Sequence, residues 1–251
     1  MPLTETYNIA LIFQFSVSIV VFTFLLFVSA PYGKFTRKGW GPRMNSLAAW
    51  MLMEIPAAFT IAVCAWIFRD TIGWSWVFLI IWEFHYIYRT FVFPAKMHHG
   101  RKTFPLTMVV SALFFNTING YINGVFLFKL RPLTDPSWFT DSRFILGVLV
   151  FFTGFSIHVD SDRRIQAQKP APGRYIIPQG GLFRWVSCPN YLGEIIQWFG
   201  WALLTWSPAG LAFAVFTFAN VFPRGISGHR WYKQNFPDYP ENRKAVIPGI
   251  I

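Results

Sequence analysis

Residues 177–223 read IPQGGLFRWVSCPNYLGEIIQWFGWALLTWSPAGLAFAVFTFANVFP, and from Ile195 to Pro223 the stretch carries no charged side chain. As one helix this uncharged run spans roughly 43 Å, longer than the roughly 30 Å hydrocarbon core of a bilayer. Ser207-Pro208 interrupts it near the middle, where a proline removes a backbone donor. The run therefore divides into two spans, 189–206 and 209–230. The polar approach to them is unusual: a Gly-Gly turn, an arginine, a proline, then Asn190 and Glu194 four residues apart.

Working outward, the composition is 54% hydrophobic, 20% aromatic and 13% charged, which places the chain among membrane proteins. The segment 9–30 holds 22 uncharged residues without a basic stretch ahead of it, and reads as a membrane span rather than a cleaved leader. Further spans are expected at 44–67, 74–93, 104–128 and 144–160, making seven. Charge placement fits that number. Lys34, Arg37, Lys38 and Arg43 follow span one; Lys96, Arg101 and Lys102 follow span three; Arg163, Arg164, Lys169, Arg174 and Arg184 follow span five; Arg224, Arg230, Lys233, Arg243 and Lys244 end the chain. All lie on one side of a seven-span protein, which the positive-inside rule makes cytosolic. The fold expected is an all-α polytopic membrane domain, 1–251, with the N-terminus lumenal or periplasmic and the C-terminus cytosolic. The net charge of +11 is accounted for by topology and anionic lipid, and no separate basic domain suggests nucleic acid. Cys64 and Cys188 fall in different spans, and no metal-ligand cluster, P-loop or GxGxxG occurs.

Ionisable and amide side chains inside apolar spans are costly and mark cavities or partners. Glu54 lies in AAWMLMEIPAAF with Trp50 one turn before it on the same face. Glu83, Tyr86 and Arg89 recur at intervals of three in WEFHYIYRTFVF; Arg89 is open to a snorkelling reading and Tyr86 to an aromatic-belt reading. Asn116, Asn119 and Asn123 form a stripe in the fourth span. Asn116 and Asn123 read as interhelical bonds, and Asn119 is kept as a candidate substrate contact. His158, Asp160 and Asp162 descend into a basic loop at the end of span five, where a ligand with hydroxyls and phosphates and a merely solvated helix end are both compatible readings. The polar inventory opens to one side, as expected for a phosphate-bearing cytosolic cofactor meeting an apolar substrate from lipid.

These residues carry a resemblance. PYGKFT, AAWMLMEIPAAF, FHYIYRTFVFP, HHGRKTFP, RYIIPQGGLFRWVS, PNYLGEIIQWFGWAL, HRWY and YPENRKAVIP resemble the steroid 5α-reductase (3-oxo-5α-steroid 4-dehydrogenase) family from about Tyr32 to the C-terminus. PNYLGE alone also recurs in sterol reductases and in isoprenylcysteine-type methyltransferases, which are the alternative readings. The resemblance implies NADPH-dependent reduction of the C4–C5 double bond of a 3-oxo-Δ4-steroid, with hydride delivered to C5. It makes Glu54 and Tyr86 the donors to the 3-oxo oxygen and packs Trp50 against the steroid; the proton for C4 comes from Tyr86 or from water. It carries Tyr32, Arg89, Arg101, Asp162, Lys169, Tyr175, Asn190, Glu194, Arg224, His229 and Tyr232 onto NADPH. Residues 1–130 would serve mainly the substrate and 131–251 mainly the cofactor, in a monomer of the endoplasmic reticulum or bacterial inner membrane. Three positions depart from the vertebrate pattern: His158 stands for an Asn, Ile176 for an Arg and Gly228 for a His. The loop is also one residue shorter.

Overall fold

The computed structural model describes residues 2–96, 103–168 and 175–251. Among them the chain forms seven long helical units: α1 (Leu3–Phe27), α2 (Ser46–Ile67), α3 (Trp76–Ile87), α4 (Leu106–Val125), α5 (Ser142–Ala167), α6 (Pro189–Thr205) and α7 (Pro208–Asn235). Four of these, α1, α2, α5 and α7, are long and apolar enough to cross a membrane. Several boundaries sit close to those expected from sequence, but α1 runs from Leu3 to Phe27 rather than over 9–30, α5 runs on to Ala167, α7 runs on to Asn235, and α3 continues to Lys96 through a π-turn at Tyr88–Val92.

Local chemistry explains the ends. The Asn45 side chain accepts hydrogen bonds from the Leu47 and Ala48 amides, an N-cap that starts α2. Between α6 and α7, Trp206 adopts φ 45°, Ser207 Oγ accepts from the Gly210 amide at 2.9 Å, and Pro208 opens α7, where its missing N–H costs nothing. The break expected at Ser207-Pro208 is therefore a cap. A two-stranded antiparallel ribbon, β1 (Arg43–Asn45) with β2 (Thr103–Pro105), joins the segments ahead of α2 and α4, pairing Met44 with Phe104.

Glycine decides how closely the site-bearing helices approach. A Cβ on Gly193 of α6 would fall 2.5 Å from the His158 amide nitrogen, and one on Gly147 or Gly200 would likewise meet backbone of the facing helix. Gly154 belongs to the same seam, which presses α5 and α6 backbone to backbone. A second small-residue contact joins α2 and α4, where a Cβ on Gly124 would lie 2.6 Å from Cys64 Cβ. The core between these pairs is aromatic: Trp82, Trp201 and Phe151 are fully buried, and Trp82 packs on Trp198, Trp201 and Phe213 at 5.1–5.5 Å. Trp82 Nε1 donates to the Ala57 carbonyl, so its one polar atom is satisfied where a bare indole N–H would be costly. The C-terminal tail closes the opposite end, with the Ser187 amide donating to the Lys244 carbonyl and the Cys188 amide to the Ala245 carbonyl.

Candidate active site

The π-turn is where the site begins. Widening the helix at Tyr88–Val92 advances Arg89 relative to an ideal α3, and such turns are frequent at functional sites. Trp50 Nε1 donates to the Arg89 carbonyl at 3.2 Å, fixing the turn to α2. The Arg89 guanidinium stacks over the Trp50 ring at 4.4 Å and over Phe93 at 4.9 Å. Arg89 is thus clamped within the bundle, and the snorkelling reading is replaced by a structural one.

Around the guanidinium stand three carboxylates. Arg89 Nε lies 3.4 Å from Glu54 Oε1 on α2, Nη2 lies 3.3 Å from Glu194 Oε1 on α6, and Nη1 lies 3.7 Å from Asp162 Oδ2 on α5. His158 joins them: its Nδ1 is 3.3 Å from Glu194 and its Nε2 is 3.3 Å from Asp162. Every member is largely or wholly buried. Three acids thus surround one guanidinium at 3.3–3.7 Å, at the long end of ion-pair distances.

This cluster caps a cavity of about 380 Å³, within the roughly 300–1,000 Å³ of small-molecule sites. Trp50, Glu54, Tyr86, Phe115, Trp198 and Phe213 contribute to its walls. Tyr86 is held rigidly, its ring 5.0 Å from Trp82 and 4.9 Å from His85. Its hydroxyl has no hydrogen-bond partner among the described residues. A carboxyl and a spare phenol on an otherwise apolar wall make a two-donor site for one oxygen of an apolar ligand, provided the carboxyl carries its proton.

A second cavity of about 190 Å³ lies beyond it, lined by Lys34, Ser187, Cys188, Asn190 and Tyr232 among others. Tyr32, Tyr191 and Arg224 line both cavities, and the Arg224 guanidinium sits 5.1 Å over each of the two tyrosine rings. Lys34 Nζ lies 3.9 Å over the Tyr232 ring and 4.6 Å over Trp231. Burial brings the Lys34 ammonium down to about 8, a shift partly offset by the neighbouring Cys188 thiol. The two neighbouring cavities place carboxyl groups and a phenol in the larger one and the cations Lys34 and Arg224 along the smaller.

The residues singled out from sequence separate accordingly. Trp50, Glu54, Tyr86, Arg89, Glu194, Tyr32 and Arg224 line the larger cavity, and Asn190 and Tyr232 the smaller. Asp162 stands behind Arg89 in the ion cluster. Arg101 and Lys169 lie outside the described residues. Asn119, expected as a substrate contact, lines neither described cavity: it is fully buried, accepts from Gln14 Nε2 at 3.0 Å and accepts from Asn123 Nδ2 at 3.2 Å. Asn116, expected as interhelical glue, both donates to the Met53 carbonyl and lines the larger cavity. His229, expected at the cofactor, lines neither described cavity and pairs with Ser187 Oγ at 2.6 Å, beside Tyr239. Tyr175 packs on Trp231 at 5.1 Å and is 44% exposed. Sequence reasoning missed Lys34, Tyr191 and His85. Tyr191 lies between Asn190 and Glu194 in a stretch already singled out, and Lys34 sits in PYGKFT beside Tyr32.

A chamber with Glu54 and Tyr86 on its wall and an ion cluster beside it, built between helices of which four are long and apolar enough to cross a membrane, is consistent with a membrane protein that binds a small apolar molecule. The family profile described as 3-oxo-5-alpha-steroid 4-dehydrogenase matches residues 102–251. Over 235 residues the chain is 40% identical to steroid 5-alpha-reductase DET2 of Arabidopsis thaliana, covering 90% of this chain and 89% of that protein. It is 41% identical to 3-oxo-5-alpha-steroid 4-dehydrogenase 2 of Homo sapiens (90% and 91% covered) and 35% identical to 3-oxo-5-alpha-steroid 4-dehydrogenase 1 of Bos taurus (94% and 93%). The chain belongs to the steroid 5α-reductase family and is an oxidoreductase.

Proposed function

We propose that the protein reduces the C4–C5 double bond of 3-oxo-Δ4-steroids to 5α-3-oxosteroids with NADPH. The observation that carries this reading is the presence of Glu54 and Tyr86 together on the wall of a largely apolar cavity that shares Tyr32, Tyr191 and Arg224 with a neighbouring cation-lined one. The protonated Glu54 carboxyl and the Tyr86 hydroxyl donate hydrogen bonds to the 3-oxo oxygen, which withdraws electrons from C5 and stabilises the enolate that forms as C5 is reduced. When bound, NADPH supplies the hydride for C5. The proton that completes C4 comes from the Tyr86 hydroxyl or from a water beside it. Trp50 packs against the steroid and holds the Arg89 turn; Arg89, Glu194 and Asn190 orient the nicotinamide end, while Lys34 and Arg224 take phosphate charge.

We propose further that all seven helices cross the bilayer as one monomeric domain, with the N-terminus lumenal or periplasmic and the C-terminus cytosolic. The basic loops gathered on one side support this orientation. The apolar substrate would arrive from the lipid.

The test is anaerobic incubation of purified protein with progesterone and NADPH deuterated at its transferable C4 position, read by mass spectrometry and stereochemical assignment. Deuterium at C5 on the α face is expected. Saturable NADPH binding without reduction would move the substrate to another lipid enone, and absence of NADPH binding would overturn the cofactor assignment.

A further inference from the structure

Several buried hydroxyls in this bundle bond back to their own helix. Ser18, Ser161 and Thr205 donate to the carbonyls of Gln14, Ile157 and Trp201 at 2.6–2.8 Å, the usual resting place for a Ser or Thr inside a helix. Thr217 of α7 does not. It is 5% exposed, it lines the larger cavity, and its hydroxyl has no hydrogen-bond partner among the described residues. One turn on, half-buried Asn220 lines the same cavity with its amide likewise unbonded among the described residues. Neither residue lines the smaller cavity. A hydroxyl and an amide left open in such a place are costly unless a ligand completes their bonds.

Their placement points to what that ligand group is. Phe213 packs on Trp198 at 4.1 Å and Trp198 on Tyr86 at 5.9 Å, so Phe213 marks the level of Tyr86 on α7. Thr217 and Asn220 follow Phe213 on one helical face, roughly 6 and 10 Å farther along the axis, and all three line the chamber. The α1 helix adds the apolar side chains of Val21, Phe24 and Leu25 to the same cavity, and Phe22 stacks on Phe218 at 6.1 Å, holding α1 to α7. Thr217 and Asn220 are neutral, and each can donate and accept; with hydrocarbon beside them they match an oxygen on an apolar skeleton better than a phosphate. We infer that Thr217 and Asn220 select a second oxygen on the substrate, a hydroxyl or oxo group at the D-ring end of a steroid whose 3-oxo oxygen lies at Glu54 and Tyr86. The inference rests on the substrate reading above and adds to it a preference among 3-oxo-Δ4-steroids.

The experiment measures kcat/KM for testosterone and for its 17-deoxy analogue, which lacks only the D-ring oxygen, in wild type, Thr217→Val, Asn220→Leu and the double variant. The testosterone-to-deoxy ratio is expected to fall roughly fivefold or more from wild type to the double variant, with the deoxy steroid's own kcat/KM held within about twofold. Partitioning of the two steroids into detergent is the same for every variant and cancels in that comparison. Thr217→Ser, which keeps the hydroxyl, should retain the wild-type ratio. An unchanged ratio in the double variant, or an equal loss for both steroids, would overturn the inference. So would a raised KM for NADPH with the ratio intact, which would give the pair to the cofactor instead. If wild type reduces neither steroid, the reduction reading fails, and equilibrium binding of the same two steroids to wild type and the double variant decides on the pair: a fall in the affinity ratio supports it, and an unchanged ratio or no binding of either steroid overturns it.

Discussion

Two of the buried polar networks among the described residues are built on opposite terms. Gln14, Asn119, Asn123 and Trp201 link α1, α4 and α6 through neutral amide and indole bonds of 2.9–3.2 Å; no member lines either described cavity. Glu54, Arg89, His158, Asp162 and Glu194 link α2, α3, α5 and α6 through ionisable groups at 3.3–3.7 Å, and Glu54, Arg89 and Glu194 face the larger cavity. The neutral network is short and inward, and its role is to hold helices together. The ionic one is longer, and three of its members face the larger cavity.

The largest effects should fall where the ionic network meets the cavity. Glu54→Gln and Tyr86→Phe are each expected to lower steroid turnover roughly 100- to 1,000-fold while leaving NADPH affinity within a few-fold; steady-state kinetics with fluorescence titration separates the two, and full turnover in both variants would remove the assigned donors. Next comes Arg89→Met, which strands three acids around an apolar side chain. A loss of about 3–5 kcal/mol is expected from breaking a buried pair on one side, read by chemical denaturation together with loss of cofactor affinity. Asn119→Leu should behave oppositely, costing about 1 kcal/mol of stability with kcat and KM unchanged. A turnover defect there would return Asn119 to the substrate.

The smallest effect concerns Lys34 in the outer cavity. Its folded value of about 8 lies below the ordinary lysine range, so between the two the unfolded chain binds the extra proton and stability of the ligand-free protein rises with pH. The unfolding midpoint should therefore climb from pH 8 to pH 10, and Lys34→Met should flatten the climb.

Much of this site was legible because its residues are misfits. A Glu at position 54 and a Tyr-Arg pair at 86 and 89 stand out of apolar spans whatever the fold, since each requires a cavity or a partner. The Ser207-Pro208 break was legible for the same reason, as a local rule against a continuous helix. The asparagine stripe was not: positions 116, 119 and 123 share one broad helical face, and whether 116 or 119 meets the cavity depends on how α4 is rotated against α1 and α2, which periodicity cannot report. The π-turn was also hidden, since nothing in YRTFV marks the extra residue. Lys34 escaped because a lysine in a basic loop looks like topology until the aromatic rings above it are seen.

The glycine seam between α5 and α6 has a consequence for how this protein can diverge from its relatives. With no side chain between the helices, the register that sets positions 158 and 162 opposite 190 and 194 cannot slide without backbone collision. The frame is then indifferent to which polar group hangs from it. A side chain at position 158 can therefore be exchanged while the backbone positions of Asp162, Asn190 and Glu194 stay put, so the polar group beside the chamber can be changed without moving the frame that holds it.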